Sequence, residues 1–590
     1  MENWIEFTVV GVYLIFMVVV GGVMKRFNAN SDDYFRSGAR STWWLMGPSL
    51  TLSMTSAAVF TAVAGGIFES GLAPISANFA QIMTGIILAT VLAAWFRQMR
   101  AVTAPEIIRE RFGPATQQVF AYLNMLMQPV YGALQLMGLG IFVSAVFGLP
   151  LEMVVLALGV VVGAYSVSGG KWAVMATDFL QSLTLYPVII LVSILCIIKA
   201  GGPAEFWVRV TESDALQFIH PEGEFSDGRY TLKWVFAVFF MQTVAQLQMG
   251  WAARFFTAKD GNEAKKAAWF MLGIGVVTLP FLIIPPLAAR LFYVDEVMAF
   301  EGILTKPAEA AFVVTCQQML PAGMMGLVIV AMFSATASSM DTGINGNAGN
   351  IVRNVVPPFR RILKRAGLTS EQELVLGRRV STLLALIIIC LAFYFASSDD
   401  RGLFEIMLNF AARVQFPIAF PLLLALFIWG APRVCVLYSM GVGLLLPWLL
   451  QPVIENWIGR DMDFADRVLM VGLCSLGGFL LSYLFKRFEA ASETEKTKEF
   501  YRKMLRPVQF KDEVGDDNDI DQLETIGKLT FVIAGGLFFL LVVPNDFSGR
   551  LLIVLMAGAV AGVGGVLLGT ARVLRKKLLT ESPEDGGKAS

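Results

Sequence analysis

The sequence predicts an all-α polytopic membrane protein, and three observations carry that prediction. Of 590 residues, 56% are hydrophobic and only 16% are charged, with a mean hydropathy of +0.65. A soluble chain of this length would carry about 25% charged residues. Apolar runs recur from one end to the other, each near the roughly 20 residues needed to cross the hydrocarbon core. Lys and Arg gather in alternate loops, as they do on the cytoplasmic side of membrane proteins.

Hydropathy places fifteen spans, at 5–24, 43–69, 73–96, 117–147, 150–167, 172–198, 232–256, 267–294, 308–352, 374–397, 402–430, 434–452, 465–485, 527–543 and 549–571. Lys25, Arg26, Arg36 and Arg40 follow the first span; Arg97, Arg100, Arg109 and Arg111 follow the third. Lys259, Lys265 and Lys266 follow the seventh, and Arg360, Arg361, Lys364 and Arg365 the ninth. KRF at 486–488, FYRKMLR at 500–506, and Lys576 with Lys577 fall on the same side, whereas SSDDR at 397–401 represents the sparse opposite side. An N-terminus outside and a C-terminus in the cytoplasm satisfies every loop. MENWIEF lacks the positive n-region of a secretory signal, so the first span reads as a retained anchor.

Composition excludes several functions. The zero net charge sums two unlike faces and says nothing about partners, and no nucleic acid partner is expected. Five cysteines (Cys196, Cys316, Cys390, Cys435, Cys474) and the single His220 form no disulfide framework or metal spacing. No Walker A or kinase pattern is present, so the energy source is an ion gradient or there is none. The chain does not read as an enzyme. Residues 200–231 form an outer loop, and 487–525, ending in DEVGDDNDIDQLE, a charged cytoplasmic segment of the kind that is usually a solvated face.

Two spans are interrupted. The second reads WWLMGPSLTLSMTSAAVFTAVAGG and the seventh FMQTVAQLQMGWAARFF, each polar at its middle, with five spans between their starts. Broken helices at matching positions of two halves point to a central transporter site. FSATASSMDTGIN, at 333–345, sets Ala335, Ser338, Ser339, Thr342 and Asn345 on one helical face with Asp341 at its edge. Hydroxyls, carbonyls and carboxylates are what a small hard cation prefers. Asp178 and Arg413 are further ionisable groups inside spans, and such groups are functional candidates. Two blander readings stand beside this one. Ser and Thr in membrane helices bond their own backbone, and Asp341 with Arg413 would form a structural ion pair.

Five stretches carry a resemblance to the sodium/solute symporter family, which includes sodium/glucose, sodium/proline and sodium/sialic acid cotransporters. They are DYFRSGARSTWWLMGPSL (33–50), AVTAPEIIRERFG (101–113), GGKWAVMATDFLQ (169–181), SSMDTGINGNAGNIVRNV (338–355) and, more weakly, ARFFTAKD (253–260). The resemblance spans roughly residues 5–490 and implies a LeuT-like inverted repeat of five plus five helices. The implied organisation is an extra helix and loop at 1–42, repeats at 43–199 and 232–430 around the outer loop, and two peripheral helices at 431–486. Beyond the charged segment, two C-terminal helices and a tail occupy 526–590.

Carried over by position, the main sodium site falls on the carbonyls of Leu52, Thr55 and Ala335 and the hydroxyls of Ser338 and Ser339. A second sodium site found in some members falls on Asp178, Asp341 and Thr342. Asp341 stands where those members often have Ser or Thr, so here the site is more acidic and would hold a cation tightly or titrate with a proton. Against the charged sugar contacts of the sodium/glucose branch the chain offers Met54, Val59, Asn78 and Val277. Solute contacts then fall to Phe60, Asn78, Gln81, Gln248, Arg413 and Gln415. A buried Arg413 pairs well with a carboxylate, which tilts the expected solute toward a small carboxylate or amino acid over a sugar or polyol. The expectation is sodium-coupled symport by alternating access in a bacterial inner (plasma) membrane, with sodium, a small solute and lipid as partners. The alternatives are a proton-coupled or passive transporter of the same fold and, in another class, a membrane-embedded solute sensor.

Overall fold

The apolar runs become helices because, in hydrocarbon, every backbone N–H and C=O must be satisfied within its own segment. The computed structural model describes residues 4–24, 37–101, 103–166, 171–247, 249, 252–398, 402–515 and 518–581. The first part contains α1 (Trp4–Met24), α2 (Trp43–Met54), α3 (Val59–Ser70), α4 (Ala73–Gln98), α5 (Ala104–Phe147), α6 (Leu151–Ser166) and α7 (Lys171–Lys199). After an outer loop follow α8 (Leu232–Gln246), α9 (Ala252–Phe255), α10 (Gly261–Phe292), α11 (Ala311–Met319), α12 (Met324–Ile362), α13 (Ser370–Ser398) and α14 (Leu403–Phe427). The last are α15 (Cys435–Ile458), α16 (Phe464–Leu481), α17 (Ala491–Leu505), α18 (Asp519–Phe539) and α19 (Phe547–Glu581). Among the described residues, eleven helices are long and apolar enough to cross a membrane, and the bent pair α2–α3 makes a twelfth. This is an integral membrane protein. The expected spans at 5–24, 150–167 and 232–256 contain the helices α1, α6 and α8, with shorter apolar stretches over Trp4–Tyr13 and Leu151–Gly163 among the described residues.

Several boundaries differ from expectation. The span placed at 308–352 begins at Met324, because Pro321 and Gly323, at φ +86°, turn the chain after the separate helix α11. The helix expected from 117 starts at Ala104 and kinks at Gly113, at φ +87°. The helix expected at 527 starts at Asp519. The segment 487–525 is not simply a solvated face. Its helix α17 buries Phe500, Tyr501 and Met504 against the ends of α4 and α5. Arg111 donates from Nε to the Tyr501 hydroxyl (3.1 Å), and Arg100 grips Glu513 with two nitrogens at 2.6 and 2.8 Å.

Around the centre, α2 packs on α10 and α7, while α12 runs between α5, α7 and α13. α8 lies against α4 and α14, α15 pairs with α16, and α18 pairs with α19 at the periphery. The entry to α2 is strapped to the loop after α9: Ser41 donates its amide to Thr257 (2.9 Å) and accepts from Lys259 (3.1 Å). Lys25, Arg26 and Arg36, and residues 399–401, lie outside the described residues.

Candidate functional site

Gly47 and Pro48 precede a break that falls inside the polar patch 51–56. α2 stops at Met54, Thr55 is extended (φ −110°, ψ 111°), and α3 resumes at 54° to α2. Many of the local hydroxyls do bond their own helix: Thr51 to Gly47, Ser53 to Ser49, Thr55 to Thr51, Thr61 to Ala57. The break itself is met by α12. Thr336 Oγ1 accepts from the Ala57 amide at 3.2 Å, and Ser339 Oγ donates to the Ser53 carbonyl at 3.4 Å. Both are partners from another helix, satisfying backbone groups that an unbroken helix would satisfy internally. The structure thus brings Ser339 to the bent helix that holds Leu52 and Thr55. Ala335 and Ser338 lie on the same buried helix.

Asp178, on α7, has no exposed surface. Its two oxygens accept from Ser49 and Ser338, and Arg254 Nη1 lies 3.3 Å from Oδ2. The same guanidinium donates to Ser49 Oγ and, through Nη2, to Thr342 Oγ1 at 3.1 Å. Asp178 and Arg254 form an ion pair, both buried. A dry carboxylate is tolerated only with a cation and several donors around it, and all are supplied here. Asp341, 3% exposed, accepts from Asn345 Nδ2 at 2.6 Å.

A cavity of about 470 Å³ runs through the centre. At one end it reaches Thr103, Pro105 and Arg353, on the face that also carries Arg97, Arg100 and Lys259; at the other it stops at Val63 and Phe404. Asp341, Thr342, Ser339 and Arg254 line it, as do Asn78, Gln81 and Gln415. Its other polar walls are amides and a phenol, among them Gln128, Tyr131, Gln135, Gln242 and Gln246. The end away from the basic face is shut. Phe60 packs on Phe312 (5.1 Å between ring centres), and Glu309 Oε1 accepts from the Leu403 amide at 2.6 Å. Glu309 is buried beside Glu69, Glu405 and Lys306, and burial pushes its carboxyl up to about 8.

Not every expected contact reaches the cavity. Arg413 lies over the Trp448 ring at 4.8 Å, toward α15, and is not among the cavity's lining residues. Gln248 lies outside the described residues. The sequence does not mark Arg254 and Ser49 as site residues, although both stand inside stretches that carry the family resemblance. An arginine at the end of an interrupted span was the available signal.

The chain matches the Sodium:solute symporter family over residues 34–443. The sodium/glucose cotransporter of Vibrio parahaemolyticus is 25% identical over 422 residues, covering 66% of this chain and 75% of its own length. Sodium/glucose cotransporter 1 of Oryctolagus cuniculus is 22% identical over 463 residues, covering 72% and 68%. A solved Na+-coupled sialic acid symporter, in a substrate-bound outward-open state, superposes with a TM-score of 0.67 at 18% identity, covering 82% of this chain and 99% of its own.

Proposed function

The chain belongs to the sodium:solute symporter family, and from that premise we propose that it carries an uncharged polar solute, of the sugar or polyol kind, together with one or two sodium ions. Sodium-coupled solute symport follows from the family. The observation that supports the rest is the pairing of a broken helix with the hydroxyl ladder of α12 at the wall of an amide-lined cavity.

Sodium is cargo here, and the donor set suits it. Leu52, Thr55 and Ala335 offer carbonyl oxygens and Ser338 and Ser339 hydroxyls, all hard oxygen donors. Asp178, Asp341 and Thr342 would make the second, more acidic site. The solute would lie beside the break, against Asn78, Gln81 and Gln415. Neutral amides donate and accept equally, which matches hydroxyls and offers no counter-ion to a carboxylate. With Arg413 turned toward Trp448, the preference for a carboxylate solute loses its support. That these two cotransporter relatives are named for glucose supports a neutral solute.

The basic face is assigned to the cytoplasm, so the cavity corresponds to an inward-facing state with the outer side closed by Phe60, Phe312 and Glu309. The two five-helix repeats are assigned to 43–199 and 232–430. Each sodium moving inward contributes about 2.3 kcal/mol per 100 mV, enough with two ions to concentrate a neutral solute strongly.

The deciding experiment is uptake into proteoliposomes of sugars, polyols, amino acids and carboxylates, with and without an inward sodium gradient. Sodium-dependent uptake of a neutral solute is expected. Uptake of carboxylates alone, abolished by Arg413→Ala, would restore the carboxylate assignment. Uptake indifferent to sodium would leave a proton-coupled or passive carrier.

A further inference from the structure

We propose that Arg254 is a resident counter-cation that exchanges with sodium at the second site: the guanidinium occupies the site's oxygens when the cavity faces the basic side, and sodium takes them when it leaves. The proposal rests on the reading of Asp178, Asp341 and Thr342 as a sodium site.

Three features of the cluster carry it. The guanidinium uses oxygens that a cation at this site would need: Nη1 is at 3.3 Å from Asp178 Oδ2, and Nη2 donates to Thr342 Oγ1 at 3.1 Å. It also takes the Ser49 hydroxyl, which in turn donates to Asp178. With Ser338 donating to the other Asp178 oxygen, both oxygens of this carboxylate are engaged. Asp178 sits wholly buried, where it carries one charge and needs one partner cation. A sodium ion and a guanidinium at the same oxygens would repel each other in a medium that screens poorly. Finally, Arg254 belongs to the four-residue helix α9 and lines the large cavity. Its side chain therefore borders the cavity, and a path out of the cluster involves no refolding of a long helix.

The mechanical consequence is a one-way release. Once sodium departs into the cavity, Arg254 closes on Asp178 and Thr342 and resists its return. The empty carrier then reorients with Asp178 paired to a guanidinium instead of as a bare buried carboxylate. A competitor that must be displaced weakens apparent binding by the fraction of molecules in which the site is vacant of it.

The test is equilibrium binding of radioactive sodium to the purified full chain, with sodium-dependent thermal stabilisation as a second readout. In Arg254→Gln the second sodium is expected to bind about 10-fold tighter or more, the vacancy fraction rising toward one, while the main site, read from its loss in Ser339→Ala, is unchanged. Arg254→Lys keeps a charge on a single nitrogen and should fall between. Arg254→Gln is purified in high sodium, which fills the cluster and protects the fold; its thermal stability should depend on sodium more steeply than that of the parent. A flat series across Arg, Lys and Gln, or weaker binding in Arg254→Gln, overturns the exchange. Asp178→Asn separates the two ideas. If it leaves sodium binding untouched, the second site itself is wrong. If it abolishes one sodium while the arginine series stays flat, the site stands and the counter-cation falls.

Discussion

Ser338 and Ser339 are adjacent in sequence and make different contacts. Ser339 Oγ reaches the Ser53 carbonyl on the bent helix, whereas Ser338 donates to the Asp178 carboxylate. The first contact therefore lies at the seam between α12 and the break, and the second ties the Ser338 hydroxyl to the charged cluster behind it. Removing a hydroxyl that contacts a cation forfeits about 1.5–3 kcal/mol, equivalent to a roughly 10- to 150-fold loss of affinity. Ser339→Ala should raise the sodium concentration for half-maximal uptake by about 10-fold or more. Thermal stability without sodium should hardly change, since the lost contact is a long 3.4 Å bond. An unchanged sodium dependence in uptake assays would remove Ser339 from the ion path. At this scale the sequence announces the hydroxyls and carboxylates plainly, because polar groups stand out in an apolar run. Their partners are hidden: Asp178 meets Arg254 from 76 positions away and Ser49 from 129. Arg413 misleads for the same reason. Its position inside a span is legible, but the helix face it occupies depends on the five-residue wide turn Ala411–Gln415, which shifts the phase of every later side chain.

Elements meet at the centre only where side chains are small. Gly138 on α5 passes the break so closely that an added Cβ would lie 2.5 Å from Ala58 Cα. Backbone on both sides leaves nothing flexible to yield, so Gly138→Ala should lower thermal stability by about 1–3 kcal/mol or more, the cost of overpacking. It should also weaken sodium binding, since it pushes on the segment that carries Thr55. Gly163→Ala is the control, because its Cβ would meet Ala385 Cβ at an ordinary 3.4 Å. Thermal unfolding in detergent that ranks the two variants equally would mean that α5 and the break are not in firm contact. Hydropathy located these helices well, because the membrane fixes their length and satisfies their backbone in only one way. It failed where water returns. Residues 487–525 look solvated by charge, yet Phe500, Tyr501 and Met504 are spaced as one helical face and bury against α4 and α5. A period masked by its charged neighbours was the signal missed. The span start at 308 failed for a similar reason: α11 is apolar and buried, but too short to cross.

On the scale of the whole molecule, one side is open and the other shut, and the shut side carries a titratable latch. Glu309 joins the segment before α11 to the amide of Leu403 at the start of α14, and its backbone lies where a Cβ on Gly65 of α3 would be 3.1 Å away. It therefore ties together elements of both halves of the chain. The groups facing it are Glu69, Glu405 and Lys306, with Arg229 paired to Glu405. Burial pushes Glu309 up to about 8 from an ordinary 4.5. If the latch opens to water, the carboxyl returns to its ordinary value and releases its proton. The closed arrangement thus binds more protons than the open one between those values. Its advantage is complete below about pH 4.5 and is lost as pH rises through about 8. Acidifying the side opposite the basic face should therefore hold the molecule in the state described here. The check is a Val63→Cys probe at the blind end of the cavity, in a background with the five native cysteines replaced, labelled by an impermeant maleimide from that side without sodium. After correction for the intrinsic pH dependence of thiolate reactivity on a free peptide, labelling should rise several-fold between pH 6 and pH 8.5 in an order-of-magnitude sense. Glu309→Gln keeps a neutral acceptor for the Leu403 amide and cannot ionise, so its labelling should stay at the low level across the range. Equal pH dependence in both proteins would assign the sensitivity to a group other than Glu309 and leave Glu309 as a structural tie.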